Sequence, residues 1–378
     1  MMNVTTKDRT IKTSAWILYT LIVLEILFMV SPFAAYYYSI YATPLNALQE
    51  SQYTAWLTMY ILPHFTYSDS WLANGLILIS WPLILLGIVL FVFGFCQIYW
   101  AKFARKGAVE IGLYRFIRHP QYVALAVVGL GSSLYWSRFI VVLAFVSMLC
   151  LYYFLARVEE RICLHKFGQS YREYLERTGM FLPRRWEVQW RTLDWRLPDA
   201  PWVRVTVIAG LYAAVLCLAI GAAFLLRDHV IDSLQTDVGD SQVTVFLAPV
   251  SPQTRARVAA TLNEAELQAD IVYVAPASWQ VPELGLVAST KNHQGGSIDE
   301  LFYPTTHGNS LSFAEERLSV VLVQANYVGG EVTGVERLTR ALNVRPIKFA
   351  DLDLAAGQIV EQSMATDSQW AGIPVPTF

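Results

Sequence analysis

Arg118, His119, Pro120 and Tyr122 stand together in one tract, Gly112-Leu-Tyr-Arg-Phe-Ile-Arg-His-Pro-Gln-Tyr122. Two adjacent acids, Glu159 and Glu160, follow after an apolar stretch, and Phe167-Gly-Gln-Ser-Tyr171-Arg-Glu-Tyr174 comes shortly after them. These residue types suit a polar ligand that carries several charges. The glutamates can hold an ammonium or a hydroxyl. Arg118 and a helix start at Pro120 form an anion site, because a guanidinium and first-turn amides both favour negative charge. Tyr114, Tyr122, Phe167 and Tyr171 offer flat apolar surface for a ring. Each residue also has an ordinary explanation. Arg118 can fix topology, and His119 can cap backbone groups before Pro120. Neighbouring glutamates on a helix point about 100° apart and commonly form a solvated face. The arrangement favours the chemical reading: both clusters flank one apolar hairpin, and a hairpin returns the chain to the membrane face it left.

The elements that must position these residues are membrane helices. Of 378 residues, 55% are hydrophobic and 15% charged, a charge content well below that of soluble domains. Residues 1–227 carry a net charge of +8 and residues 228–378 carry −10. Basic loops beside apolar runs report orientation rather than nucleic-acid binding. Spans are expected at Ala15–Tyr38, Gly75–Tyr99, Pro120–Trp136, Phe139–Leu155 and Val203–Leu226. The first is too long for a signal peptide and has no clear cleavage site after it. Glu25 inside it is expected at a polar interhelical contact or held protonated. Residues 39–73 contain no Lys or Arg and are rich in Tyr and Trp, as a non-cytoplasmic interfacial loop would be; His64 there is assigned nothing. Gly129, Gly131, Ser132 and Ser133 allow close helix approach or a sharp reversal, and Arg138 at the reversal is expected to snorkel to the interface. Val158, Ile162, Phe167, Tyr171 and Tyr174 form one helical stripe, ended by Phe181-Leu-Pro183. Trp186, Trp190 and Trp195 among arginines suit a headgroup-level segment.

Beyond the last span the pattern changes. Val243–Ala248, Ile271–Ala275, Leu318–Val323 and a short run at Pro346–Phe349 read as strands. Helices are expected from Ser251, as cap of a helix with Pro252 in its first turn, to about Leu267, and from Val332 to Leu342. Residues 280–312 read as loop; His293 and His307 lack ligand-spaced partners, and no metal site is expected. Cys96, Cys150, Cys163 and Cys217 lie in or beside spans, without disulfide or metal spacing. The expected fold is therefore a multi-pass α-helical membrane domain of about five transmembrane helices, residues 1–230. A small soluble α/β domain of unassigned role follows, residues 231–378. The amino terminus, residues 100–118 and residues 156–200 are expected in the cytoplasm and the carboxyl-terminal domain outside, with a bacterial inner membrane as the setting.

The order G-x-Y-x-x-x-R-H-P-x-Y, then E-E, then F-G-x-x-Y-x-x-Y resembles the isoprenylcysteine carboxyl methyltransferase and phospholipid N-methyltransferase family. The resemblance covers roughly residues 75–185. It implies an integral-membrane enzyme that uses S-adenosylmethionine and acts on a lipophilic small molecule, a lipidated substrate or a membrane lipid. It implies catalytic or cofactor contacts at Arg118, His119, Pro120, Tyr122, Glu159 and Glu160, with Tyr114, Phe167 and Tyr171 supplying surface. Which glutamate faces inward stays open. The sequence departs from the family at Ala124, usually Gly, and at Cys163, usually Leu. Two other readings remain: a membrane reductase of the sterol-reductase type using NADPH, which carries a similar R-H-P-x-Y tract, and a non-enzymatic anchor that presents the carboxyl-terminal domain.

Overall fold

The computed structural model describes residues 51–364, apart from breaks at 63–67, 104–109, 192–199, 282–285, 290–315 and 328–331 and a few single positions. Before residue 51 it describes only Thr13, Trp16, Ile17, Tyr19, Thr20, Val23 and Leu48. The expected first span is thus known only at isolated positions, and Glu25, His64, His293 and His307 lie outside the described residues. The chain divides into two compact units. One comprises residues 1–31, 78–135 and 141–222; the other comprises 32–77, 136–140 and 223–378.

The helices are α1 Trp71–Leu78, α2 Ser80–Phe103, α3 Pro120–Tyr135, α4 Phe139–Phe167, α5 Gln169–Arg177, α6 Arg184–Arg191 and α7 Pro201–Asp232. Among the described residues three helical stretches are long and apolar enough to cross a bilayer: Trp71–Ile98, Phe139–Phe167 and Trp202–Asp232. Helix α3 has 16 residues, short of that length. Apolar side chains such as Leu85, Val89, Val205, Leu218 and Leu225 are exposed on these helices, as lipid-facing positions require. This is an integral membrane protein by its apolar helices.

In the first unit α2 and α3 pack closely because one helix lacks a side chain where the other is crowded. A Cβ on Gly131 would stand 2.7 Å from the Ser80 carbonyl oxygen. The same device answers the departure at Ala124: opposite it stands Gly87, whose Cβ would lie 2.7 Å from the Ala124 carbonyl oxygen. Tyr122, Met148, Tyr152, Leu155, Ala156 and Met180 form the apolar cluster between α3, α4 and the 180 segment. The expected single stripe from Val158 to Tyr174 lies on two helices. Helix α4 ends at Phe167, and Gly168, with φ +55°, precedes α5. That left-handed conformation reorients the chain so that Tyr171 and Tyr174 are both buried.

In the second unit Arg138 is buried rather than at an open interface. Its guanidinium donates to the Thr58 carbonyl and the Tyr60 hydroxyl and covers the Tyr60 ring. Downstream of α7 lie β1 Thr236–Val238, β2 Val243–Phe246, α8 Pro252–Glu264, β3 Ile271–Pro276, β4 Ser278–Val281, β5 Leu286–Ser289, β6 Arg317–Tyr327, α9 Glu336–Thr339, β7 Ala341–Asp353 and β8 Gln358–Met364. The main sheet has the order β1-β2-β3-β6-β7-β8; β2 and β3 are parallel and every other pair is antiparallel. It is a mixed sheet, and β4 and β5 form a separate antiparallel pair that begins at Ser278 and extends into the stretch expected as loop. Ser251 caps α8 as expected, accepting from the Thr254 amide at 3.2 Å, with Pro252 in the first turn. The expected helix at Val332–Leu342 shrinks to α9, and the short strand at Pro346 becomes β7, because pairing with β6 over its length outweighs local pattern.

Candidate functional site

Two short backbone contacts join the halves of the motif. The Arg118 amide donates to the Gly179 carbonyl at 2.9 Å, and the His119 amide donates to Met180 at 3.2 Å. The tract before α3 is therefore zipped to the segment after α5. Two further bolts fix it. Tyr174 Oη donates to the Tyr114 carbonyl at 2.6 Å, and Glu187 on α6 accepts from the Met180 amide at 2.6 Å. The turn at Gly112 has φ +61°, and a Cβ there would overlap the Gln97 amide, so no other residue suits the position. Gln97 in turn accepts from the Leu113 amide at 3.3 Å.

This frame brings Arg118, His119, Tyr122, Glu159 and Glu160 together. Arg118 Nε donates to Glu160 Oε1 at 2.6 Å. Arg118 Nη1 donates to the carbonyls of Leu175 and Thr178. No described residue accepts from Arg118 Nη2 or donates to Glu160 Oε2. His119 lies between the two acids: Nδ1 is 3.4 Å from Glu159 Oε2 and Nε2 is 3.6 Å from Glu160 Oε1. The second distance exceeds hydrogen-bond range, and the buried Nε2 has no hydrogen-bond partner among the described residues. Both glutamates thus face the histidine. Residues about 100° apart on α4 manage this because His119 presents a nitrogen to each. Glu160 is 6% exposed, whereas the Glu159 side chain is more open. Tyr122 Oη donates to Glu159 Oε1 at 2.7 Å. The rings of His119, Tyr122 and Tyr152 stack in a column, with centroids 5.5 and 5.2 Å apart and planes within 9°. Phe181 packs at an angle on His119.

Electrostatics follow from this geometry. Burial pulls the His119 imidazole down, but Glu159 and Glu160 more than offset it, so the group titrates above its ordinary range near 6.5. Burial pushes the phenols of Tyr114, Tyr171 and Tyr174 up, so all three are neutral donors.

The other expected residues have different places. Tyr171 is buried and its ring meets Tyr174 at 5.7 Å. Tyr114 is buried too, and its carbonyl, rather than its ring, carries the link to Tyr174. Phe167 is half-buried at the end of α4, with the Lys166 ammonium over its ring at 5.2 Å. Pro120 opens α3 and is buried. Residues not anticipated from sequence are Tyr152 in the ring column, Thr178 to Met180 in the zipper, Glu187, and Tyr19, whose hydroxyl donates to Glu159 Oε1. Tyr152 precedes Glu159 by seven residues, about two helical turns, which could have flagged it, but the zipper and Tyr19 are tertiary contacts with no local signal. Among the described residues no group of His, Cys, Asp and Glu could hold a metal ion.

Comparison with known proteins agrees with the motif. Residues 71–170, about a quarter of the chain, match the family model described as phospholipid methyltransferase. The matched stretch takes in Arg118–Tyr122 and both glutamates, so the resemblance read from those residues is borne out over this segment. No curated protein and no solved structure matches the chain.

Proposed function

We propose that this protein transfers a methyl group from S-adenosylmethionine to a lipophilic acceptor held in the membrane. The observation that carries the reading is the His119-centred pair of acids, tied to Arg118 across the two halves of a segment that matches a methyltransferase family. The residues fit the cofactor's amino-acid end. Its ammonium needs an acid and its carboxylate a base; Glu160 Oε2 and Arg118 Nη2 are the uncommitted atoms of an otherwise engaged ion pair. The orphaned His119 Nε2 is a further polar atom for which a ligand would be a partner. Tyr114, Tyr122, Phe167 and Tyr171 are the aromatic residues assigned to the cofactor's ring in this reading. When bound, the cofactor supplies an electrophilic methyl on a sulfonium. The chain's own part is to orient and to exclude water. Arg118 holds Glu160, Glu159 holds His119, and the ring column walls the site, so that orientation can contribute several kcal/mol, on the order of the gains seen for well-aligned reactants.

The amino terminus and residues 156–200 are placed on the cytoplasmic side in this reading and residues 231–378 outside, on the strength of the charge difference between the two parts. A polar cofactor then enters from the cytoplasm and the acceptor from the bilayer. The test is incubation of membranes containing the parent or Glu160→Gln with methyl-labelled S-adenosylmethionine, followed by lipid extraction. Label in the extract of the parent, and its loss in the variant, is expected. Absence of transfer together with substrate-dependent NADPH oxidation would favour the reductase reading instead.

A further inference from the structure

Glu159 is held by two phenols, and one of them comes from outside the matched segment. Tyr122 Oη donates to Glu159 Oε1 at 2.7 Å. Tyr19 Oη donates to the same oxygen. A carboxylate oxygen offers two lone-pair sites, so two phenols fill Oε1. The other oxygen, Oε2, faces His119 Nδ1 at 3.4 Å. The chain of contacts is therefore Tyr19 and Tyr122 on Glu159, Glu159 on one histidine nitrogen, and the opposite nitrogen beside Glu160 with no hydrogen-bond partner among the described residues. A group that fixes one ring nitrogen of a histidine sets the orientation and tautomer of the other.

We propose that Tyr19 is a positioning residue for Glu159, so that a residue from outside the matched segment completes the cofactor site. In calling it a cofactor site the inference rests on the function proposed above. The two phenols differ in one useful respect. Tyr122 is 8% exposed, stacked between His119 and Tyr152, so removing its hydroxyl also disturbs a packed column. Tyr19 is 42% exposed. Its hydroxyl can be removed with little loss of packing, and the effect reads the bond to Glu159 rather than a cavity. Tyr19 belongs to the same compact unit as the motif, as the role requires.

The experiment is a double-mutant cycle on full-length protein in detergent: parent, Tyr19→Phe, Glu159→Gln and the double variant. S-adenosylhomocysteine is titrated calorimetrically into each, and thermal unfolding is recorded without ligand. Tyr19→Phe is expected to weaken binding about tenfold, the effect of losing one hydrogen bond to a charged group. In the Glu159→Gln background the same change should have almost no further effect, because contacting residues are coupled. A merely structural tyrosine would lower the melting temperature and leave the affinity of the folded protein unchanged. Unaltered affinity in Tyr19→Phe, or losses that add in the double variant, overturns the inference while the function proposed above stands. If the parent binds no S-adenosylhomocysteine, that function fails. The unfolding cycle then decides the contact alone: non-additive melting shifts support it and additive shifts overturn it.

Discussion

The motif cluster around His119 and the sheet that follows α7 bury polar groups in opposite ways. The sheet core is apolar throughout: Phe246, Val258, Leu262, Val272, Val320, Leu322 and Leu352 form its centre. Its buried polar groups are hydroxyls, with Thr261 bonded to the Arg257 carbonyl at 3.0 Å and Ser319 to Asp351 at 2.5 Å. Its ion pairs among the described residues, Arg337 with Asp270 and Arg340 with Glu336, are partly open and exposed, respectively. The motif cluster instead buries Arg118, His119 and Glu160 together. Removing charges from water is costly even when they are paired. The sheet avoids that cost with hydrocarbon, as a stability-driven core does. Unpartnered atoms are not the difference, since Gln242 Oε1, Arg255 Nε and Ser363 Oγ also lack a hydrogen-bond partner among the described residues. A cluster that gathers a buried guanidinium, imidazole and carboxylate is where ligand chemistry is to be sought. Burial of charge alone is not the mark. Arg138 is equally buried, but its partners are a carbonyl, a hydroxyl and a ring, and it reads as a staple for the Thr58–Tyr60 segment.

The comparison can be broken most severely at Arg118. Arg118→Met strips the partner from buried Glu160, which costs about 3–5 kcal/mol for an orphaned charge. S-adenosylhomocysteine binding should vanish and thermal unfolding in detergent should shift far down. Phe246→Ala in the sheet should cost a similar amount, about 3–5 kcal/mol, through a cavity. Here the affinity of the folded protein for the same ligand should not change, and a parallel loss of affinity would mean the regions are not separate in function. A smaller effect sharpens the electrostatic side. His119 is held above its ordinary range, so the stability it contributes is fully present below about pH 6.5 and is lost as pH rises through the raised value. Parent protein should therefore melt progressively lower as the pH is raised through that window, and His119→Asn should flatten the dependence. Among the described residues Tyr122, Glu159 and Glu160 face the imidazole, and Arg118 is paired to Glu160. The smallest effect is at the sheet's rim: Ser251→Ala removes the cap of α8 and should cost about 1 kcal/mol, with no change in binding.

Much of this was legible from residue order. The apolar runs located α2, α4 and α7, and Ser251-Pro252 located the start of α8. Arg118, His119, Tyr122 and the two glutamates could be grouped because a hairpin constrains where its ends emerge. Other features were not legible, for identifiable reasons. The break at Gly168 interrupts neither the stripe nor the helix propensity around it, so only a left-handed φ reveals it. Pro346 suggested a strand limit, yet β7 runs through it because a register shift of β6 accommodates a residue without an amide hydrogen. Strand β8, Gln358-Ile-Val-Glu-Gln-Ser-Met364, sits at a sheet edge, mostly exposed, and lacks the apolar alternation that marks a half-buried strand. Which glutamate faced inward could not be read from a helical wheel, since the answer depends on a histidine that reaches both.

The central claim is that Glu160, held by Arg118 beside His119, binds the cationic end of S-adenosylmethionine. Calorimetric titration of S-adenosylhomocysteine into the detergent-solubilised parent and Glu160→Gln tests it most directly, with NADPH titrated in parallel. The parent should bind S-adenosylhomocysteine and release no heat with NADPH. Glu160→Gln should bind about ten- to a hundredfold more weakly, since a hydrogen bond to a charged group contributes roughly 1.5–3 kcal/mol. Equal affinity in parent and variant, or NADPH binding with no S-adenosylhomocysteine binding, would contradict the claim.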